Sequence, residues 1–339
     1  MKKALPGISV VTASYSGSLK TLNKCLEIVR SQSYPQTKIE IIIGHGGSKR
    51  EITPITQKYK AKYVLIPKAK QNAEYNRGVA FSKAKNELAL ILDHDNFMPT
   101  KNFLREYVEP FLKHKELVAV ESAYYHYGKA LPLLDRYFAL FGCLDPLPYY
   151  FGKTDRMMWT SRKWNLLGKS REYKNYYLVK FDKNPRKIPT IGTNGCMMRR
   201  ALVVKNADVR PAHHYPIDVM VDVITKGHNT FAFTKNSLTH LTSSRGLISF
   251  LYRRLKFMKQ YHFEENKNRR YSVYMKGDYL KLLKFIIYSL TFVKPTYDAT
   301  RGFLKVPDLA WFVHPFMCLG ITIVYVFGIL DGQLLKRGD

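Results

Sequence analysis

Between residues 8 and 93 the chain repeats one pattern four times: a short apolar run, then a stretch long enough for a helix. The runs are "ISVVTAS" (8–14), "IEIIIGH" (39–45), "AKYVLIP" (61–67) and "ELALILD" (87–93). They show little polar alternation, as expected of strands buried on both faces. The connections are too long for hairpins, so neighbouring strands run parallel with crossovers between them. "LKTLNKCLEIVRSQ" (19–32) fits the first crossover, with Leu22, Leu26 and Val29 at helical spacing. A second helix is read from about Asn72 to Lys85. The fold class that follows is α/β, a mostly parallel sheet with helices on both faces. In such sheets ligands bind beyond the carboxyl ends of the strands. The "ASYS" turn at 13–16, His45 and Asp93 all fall there.

The fourth run leads directly into Asp93-His94-Asp95-Asn96. Two carboxylates at the end of a buried strand are costly to desolvate unless positive charge accompanies them. Residues i and i+2 of a strand end point the same way, so both can reach one hard cation. Mg²⁺ and Mn²⁺ take oxygen ligands, and Mg²⁺ shares its shell with substrate phosphates. The plainer alternative is a solvated acidic turn. The position, at the end of a central apolar strand, favours the cation site.

Beyond residue 120 the pattern loosens. Residues 121–180 are rich in tyrosine and tryptophan, with Trp159 and Trp164 among basic residues, and read as an irregular subdomain packing its own aromatics. Order returns in "IPTIGTNGCMMRRALV" (188–203), a helical "IDVMVDVITKG" (217–227) and a strand-like "TFAFT" (230–234). Cys25, Cys143, Cys196 and Cys318 lie far apart and form no C-x-x-C pair, which fits reduced cytosolic thiols better than a disulfide framework or a zinc site. Lys2 and Lys3 are followed by Pro6, Gly7 and Ser9, so no secretory signal is expected.

Charge adds a partner class. Lys and Arg number 55 against 26 acidic residues, a formal +29, which suggests a polyanion: nucleic acid, an anionic membrane surface or phosphorylated substrates. At 46% hydrophobic residues the chain is globular. Eleven Lys or Arg stand between Arg245 and Lys284 against Glu264, Glu265 and Asp278. Two apolar runs follow, "FIIYSLTFV" (285–293) and the 22 residues 309–330, the latter interrupted only by His314 and Pro315. That length permits a membrane crossing, and the interruption leaves a re-entrant or interfacial segment open.

The order of landmarks resembles the family 2 glycosyltransferases, whose fold is called GT-A, over roughly residues 7 to 260. "ASYS" is similar to the turn after the family's first strand. "CLEIVRSQSYPQTKIEIIIG" resembles its helix, Gln-x-Tyr-Pro turn and second strand. "YNRGVAFSKAKNELALILDHDN" resembles the Asn-x-Gly helix and the strand bearing Asp-x-Asp, and "GTNGCMMRR" the later Gly-rich acceptor-side segment. "THL" at 239–241 matches a histidine after the last core strand. No G-x-G-x-x-G follows the first strand, which sets a Rossmann dehydrogenase aside.

The resemblance implies roles by position. Ala13, Tyr15, His45, Asn76 and Asp93 would line the nucleotide-sugar site. Asp95 would ligate Mg²⁺ or Mn²⁺, Asp93 the ribose or a metal-bound water, and His240 the metal or the diphosphate. Asp218 falls near the family's catalytic carboxylate, usually the Asp of a Glu-Asp pair, although Ile217 precedes it here. Asp222, one helical turn later, is the rival. The family's second strand usually ends in an aspartate that reads the base; this chain has His45-Gly46-Gly47-Ser48. Either the donor is not a UDP-sugar, or the base is read from the backbone.

The implied protein is a metal-dependent inverting glycosyltransferase on the cytoplasmic face of the cell membrane, acting on a polyprenyl phosphate or lipid-linked glycan. Residues 1–120 would form the nucleotide-sugar half, 121–244 the acceptor half, and 245–339 a basic, membrane-associated helical region. A nucleotidyltransferase would share the Asp-x-Asp and metal but release pyrophosphate. A nucleic-acid binder would explain the charge but not the apolar tail.

Overall fold

The computed structural model describes residues 4–242, 246–260, 269–275 and 277–335. Strands β1 (Ile8–Tyr15), β2 (Ile39–Gly46), β3 (Lys62–Leu65) and β4 (Leu88–Ile91) pair in parallel, in the order β3-β2-β1-β4. The crossovers hold α1 (Leu19–Arg30), α2 (Lys49–Lys58) and α3 (Ala73–Ser82). The sequence reading did not single out α2, yet its start is marked: Ser48 and Glu51 form a reciprocal capping box.

Both faces of this half-sheet are covered. Ile8 and Val10 of β1 and Ile41 and Ile43 of β2 share a core with Leu22, Leu26 and Val29 of α1. The alternate residues Val11 and Ile42 are equally buried on the opposite face. There α3 lies against Gly44, where a Cβ would sit 1.9 Å from the Asn76 carbonyl oxygen. Glycine at 44 lets the helix backbone approach the strand that closely.

The sheet continues through β5 (Asn96–Phe97), α4 (Phe103–Lys113) and β6 (Ala119–Tyr125). After α5 (Leu133–Phe141) and α6 (Pro146–Phe151) come β7 (Lys169–Glu172), β8 (Tyr176–Lys180) and β9 (Cys196–Arg199). Then follow α7 (Arg200–Asn206), α8 (Pro216–Thr225) and β10 (Thr230–His240). The full order is β3-β2-β1-β4-β9-β6-β10-β8-β7, with β5 on β10. β9 enters antiparallel between β4 and β6, and β8 runs antiparallel to β10. The first half is therefore parallel, as the strand pattern predicts, and the second half is mixed.

The chain divides into two units. One comprises residues up to His126 together with Leu167–Leu241; the other comprises Tyr127–Leu166 together with the chain from Thr242 on. This differs from the consecutive division at 120 and 244. The physical reason lies in α5 and α6, whose Tyr137, Phe138 and Phe141 find their apolar partners on the C-terminal helices.

Those helices are α9 (Leu247–Met258), α10 (Tyr279–Thr291), α11 (Val293–Phe303) and α12 (Val313–Leu335). The run 285–293 is not one segment: Phe292 adopts φ +60° and separates α10 from α11. His314 and Pro315 fall in the first turn of α12, where proline's missing N–H is tolerated. α12 with the turn before it, Leu309–Asp331, is long and apolar enough to cross a membrane, and half of that stretch is buried. Its inner face carries Met317 and Ile321 but also polar groups. His314 contacts the hydroxyls of Tyr137 at 2.9 Å and Tyr150 at 3.0 Å. Tyr325 bonds Asp145, which also pairs with Arg254 at 2.6 Å. The exposed side chains of α12 between Phe316 and Leu330, namely Phe316, Ile323, Val326, Phe327, Ile329 and Leu330, are all apolar.

Candidate active site

The Asp93–Asn96 segment is a turn closed by the Asn96 amide donating to the Asp93 carbonyl at 2.9 Å. His94 Nδ1 lies 3.2 Å from the Ala13 carbonyl oxygen, which ties the turn to the end of β1. Immediately after it, β5 pairs antiparallel with the end of β10, placing Asn96 opposite His240. The Leu241 amide donates to the Asp95 carbonyl at 3.0 Å. This register sets His240 Nε2 3.7 Å from Asp95 Oδ2, across 145 residues of chain (240 − 95). Asn96 Nδ2 donates to the other Asp95 oxygen at 3.1 Å. Burial pushes the Asp95 carboxyl up, but the attraction of His240 and the field of His94 outweigh burial and hold it below the usual range.

Asp93 has a different partner. Arg77, on α3 and buried, donates Nη2 to both Asp93 oxygens at 2.9 and 2.8 Å and Nε to Oδ1 at 3.2 Å. Its Nη1 pairs with Glu74 one turn back. The two aspartates thus have different neighbours, one held by a guanidinium and one beside an imidazole. Tyr15, at the end of β1, lies in the field of the same cluster. Burial pushes its hydroxyl up, opposed by Arg77 and aided by Asp93 and Glu74, so it stays protonated.

Among the described residues no group of three or more His, Cys, Asp and Glu could hold a metal ion. Asp95 and His240 nevertheless fit as two ligands of one. Ligand distances near 2.1 Å allow two donors of one ion to lie up to about 4 Å apart, and theirs lie 3.7 Å apart. The remaining positions would fall to diphosphate oxygens and water.

His45 and Asn76 are fully buried. His45 Nδ1 meets Ser14 Oγ at 2.8 Å, and Asn76 Nδ2 reaches the Ser14 carbonyl at 3.5 Å. Burial holds His45 below its usual pKa against the pull of Glu51, which keeps the ring neutral. Gly47 lies over it, since a Cβ there would stand 2.4 Å from Nε2. His45 and Asn76 brace the ends of β1 and β2, and neither presents an exposed side chain to a base.

Asp218 sits in the first turn of α8, after Pro216, and is fully buried. Asp222 is partly exposed and accepts from the Asp208 amide at 3.2 Å. The start of α8 abuts the Gly-rich loop: a Cβ on Gly192 would lie 2.5 Å from the Pro216 carbonyl oxygen. That loop needs left-handed backbone at Gly192 (φ +109°), Asn194 (+44°) and Gly195 (+81°). Two same-face residues of β6 hold it. Glu121 accepts from the Gly192 amide at 2.6 Å, and Tyr125 accepts from Asn194 Nδ2 at 3.1 Å. The Tyr125 ring stands 5.9 Å from that of His240. Asp95, His240, Tyr125 and Asn194 therefore form one chain of neighbours.

Sequence reasoning missed Arg77, Glu74, Glu121, Tyr125 and Asn194. Arg77 lies inside "YNRGV", and Glu121 and Tyr125 stand four apart in "ESAYY", on one face once that stretch is a strand.

Residues 9–205, more than half of the chain, match the family described as Glycosyl transferase family 2. The chain belongs to that family. It is a glycosyltransferase. Glycosyltransferase AglE of Haloferax volcanii is 27% identical over 99 residues, covering 28% of this chain and 32% of that protein. The match thus spans about a third of that relative's length. The mannosyltransferase PcManGT from Pyrobaculum calidifontis, solved with GDP-Man and Mn²⁺, is similar in fold, with a TM-score of 0.55 at 12% identity over 97% of this chain and 88% of that one. S. aureus TarS 1–349 in complex with UDP-GlcNAc gives 0.47 at 14% identity, over 90% and 78%. The fold is GT-A-like.

Proposed function

We propose that this glycosyltransferase moves a sugar, with inversion, from a nucleotide-sugar donor to a lipid-linked acceptor at the cytoplasmic face of the cell membrane. The observation that carries the site assignment is the Asp95–His240 pair, held 3.7 Å apart at the ends of β5 and β10. A Mg²⁺ or Mn²⁺ bound there would supply positive charge against the departing diphosphate. Arg77 fixes Asp93 through both oxygens, which leaves that carboxylate as an oriented acceptor for a ribose hydroxyl. Asp218 takes the acceptor's proton, and the acceptor oxygen attacks the anomeric carbon. Asp222 anchors the Asp208 amide. PcManGT was solved with GDP-Man and Mn²⁺, which supports this donor class and cofactor as a reading.

The membrane part rests on the helical unit. Among the described residues, every exposed large apolar side chain except Leu65 and Val204 belongs to it. Between Phe316 and Leu330 the exposed side chains of α12 are all apolar, where a soluble helix presents polar residues to water, and such a face is suited to lipid. A panel of radiolabelled nucleotide sugars, offered with membrane lipid extract and Mn²⁺ or Mg²⁺, tests the reading. One label should become organic-soluble in a metal-dependent way. Transfer only to water-soluble acceptors would overturn the lipid assignment.

A further inference from the structure

We infer that the helical unit carries a second anion site, built for the phosphate headgroup of a lipid. It is a cavity of about 510 Å³ whose lining includes Arg162, Lys163, Arg301 and Lys305. Arg301 and Lys305 stand one turn apart at the end of α11 and just beyond it, and all four are exposed. Thr160 and Ser161 add hydroxyls from the facing segment. The one carboxylate in the lining, Asp298, is buried and has its own cation: Lys294 pairs with it, and the Tyr150 hydroxyl donates to it at 3.2 Å. Four cationic side chains thus line the cavity against one carboxylate, which Lys294 already pairs with. A phosphate monoester or diphosphate matches that charge and can accept from guanidinium and ammonium donors together.

The surroundings point to a lipid. On the same helix Tyr297 is 54% exposed, and Leu304, just past its end, is 76% exposed. The Arg301 guanidinium stacks 5.6 Å from the Tyr297 ring centroid. A cationic hollow bordered by exposed apolar side chains suits an amphiphile whose head is anionic and whose tail is not. This inference rests on the lipid-acceptor reading, but it is read out by binding alone, while metal-dependent donor hydrolysis tests the transferase reading separately.

The test uses the full chain and flotation on phosphatidylcholine vesicles with or without phosphatidic acid. R301E/K305E is compared with K281E/K284E, an equal charge change on exposed lysines of α10. Wild type and K281E/K284E should gain affinity from phosphatidic acid. R301E/K305E should lose at least about tenfold of it while keeping its binding to plain phosphatidylcholine. R301Q/K305Q serves if charge reversal impairs folding. Calorimetry with inorganic pyrophosphate separates the sources. Binding abolished by R301E/K305E means free diphosphate is also accepted, whereas vesicle binding without pyrophosphate binding assigns the site to lipid. Equal losses in both variants, or no loss in R301E/K305E, would overturn the site in favour of diffuse surface charge.

Discussion

Replacing Arg77 by Met removes a guanidinium that is 3% exposed and keeps most of its volume. It leaves the Asp93 and Glu74 carboxylates, 17% and 15% exposed, without the cation that both now share. Breaking a buried pair by removing one partner costs about 3–5 kcal/mol. Some water reaches both carboxylates, so the lower end, about 3 kcal/mol, is expected. Asp93→Asn alone should cost about 1–2 kcal/mol, because Arg77 keeps Glu74. In the double variant the stranded Asp93 charge is gone, so the total should fall short of the sum by about 1–2 kcal/mol. Tryptophan fluorescence is the wrong probe: Trp159, Trp164 and Trp311 all lie in the helical unit. Amide hydrogen exchange in peptides covering β1, β4 and α3 reads the correct unit. A loss of about 3 kcal/mol appears there as roughly hundredfold faster exchange. Protection in Arg77→Met within about threefold of wild type, or strict additivity with Asp93→Asn, would refute the reasoning.

Three further predictions concern the base, the donor and the helical unit. Asp218→Asn should bind donor and lose transfer in single-turnover assays, whereas Asp222→Asn should keep transfer and lose about 1 kcal/mol of local stability with the Asp208 contact; the reverse pattern makes Asp222 the base. With His45 buried and no acidic residue at the end of β2, UDP should compete no better than GDP, and a clear calorimetric preference for UDP would count against this. The intact chain should resist extraction from membranes by high salt and yield to detergent. Deleting residues 306–339 should cause aggregation, because Trp311, Met317 and Ile321 share a core with Phe138 and Phe141; a monodisperse, folded product would show that α12 is dispensable.

The parallel half of the sheet was legible because its strands are apolar on both faces and its helices keep a regular period. Each run from 8 to 93 became a strand within a few residues. What stayed hidden depended on distant pairing. The family resemblance implied His240 beside Asp95, but no periodicity in the sequence shows it: the two meet only because two residues of β5 pair with the last two of β10. β6 was lost because its faces do not differ in polarity: Glu121 and Ser122 are as buried as Ala119 and Val120. Arg77 was passed over because a basic residue on a helix is ordinarily solvated, and only the fold carries it to Asp93. The apolar run 285–293 held no glycine to announce the left-handed residue at Phe292. The tail 309–330 was read as apolar but for His314 and Pro315, and the contacts of His314 with Tyr137 and Tyr150 appear only once α5 and α6 pack against it.

The most direct test of the central claim is the metal dependence of nucleoside diphosphate binding in wild type and in Asp95→Asn. The substitution removes one charge without changing volume, and hydrogen exchange in β4 and β10 should remain as in wild type. Calorimetric titration of GDP and UDP in the presence of Mn²⁺ should show binding to wild type that EDTA abolishes. Asp95→Asn should bind at least about tenfold more weakly and should not turn over. Full turnover in EDTA, or full turnover by Asp95→Asn, would contradict the assignment of Asp95 and His240 as the metal–diphosphate site.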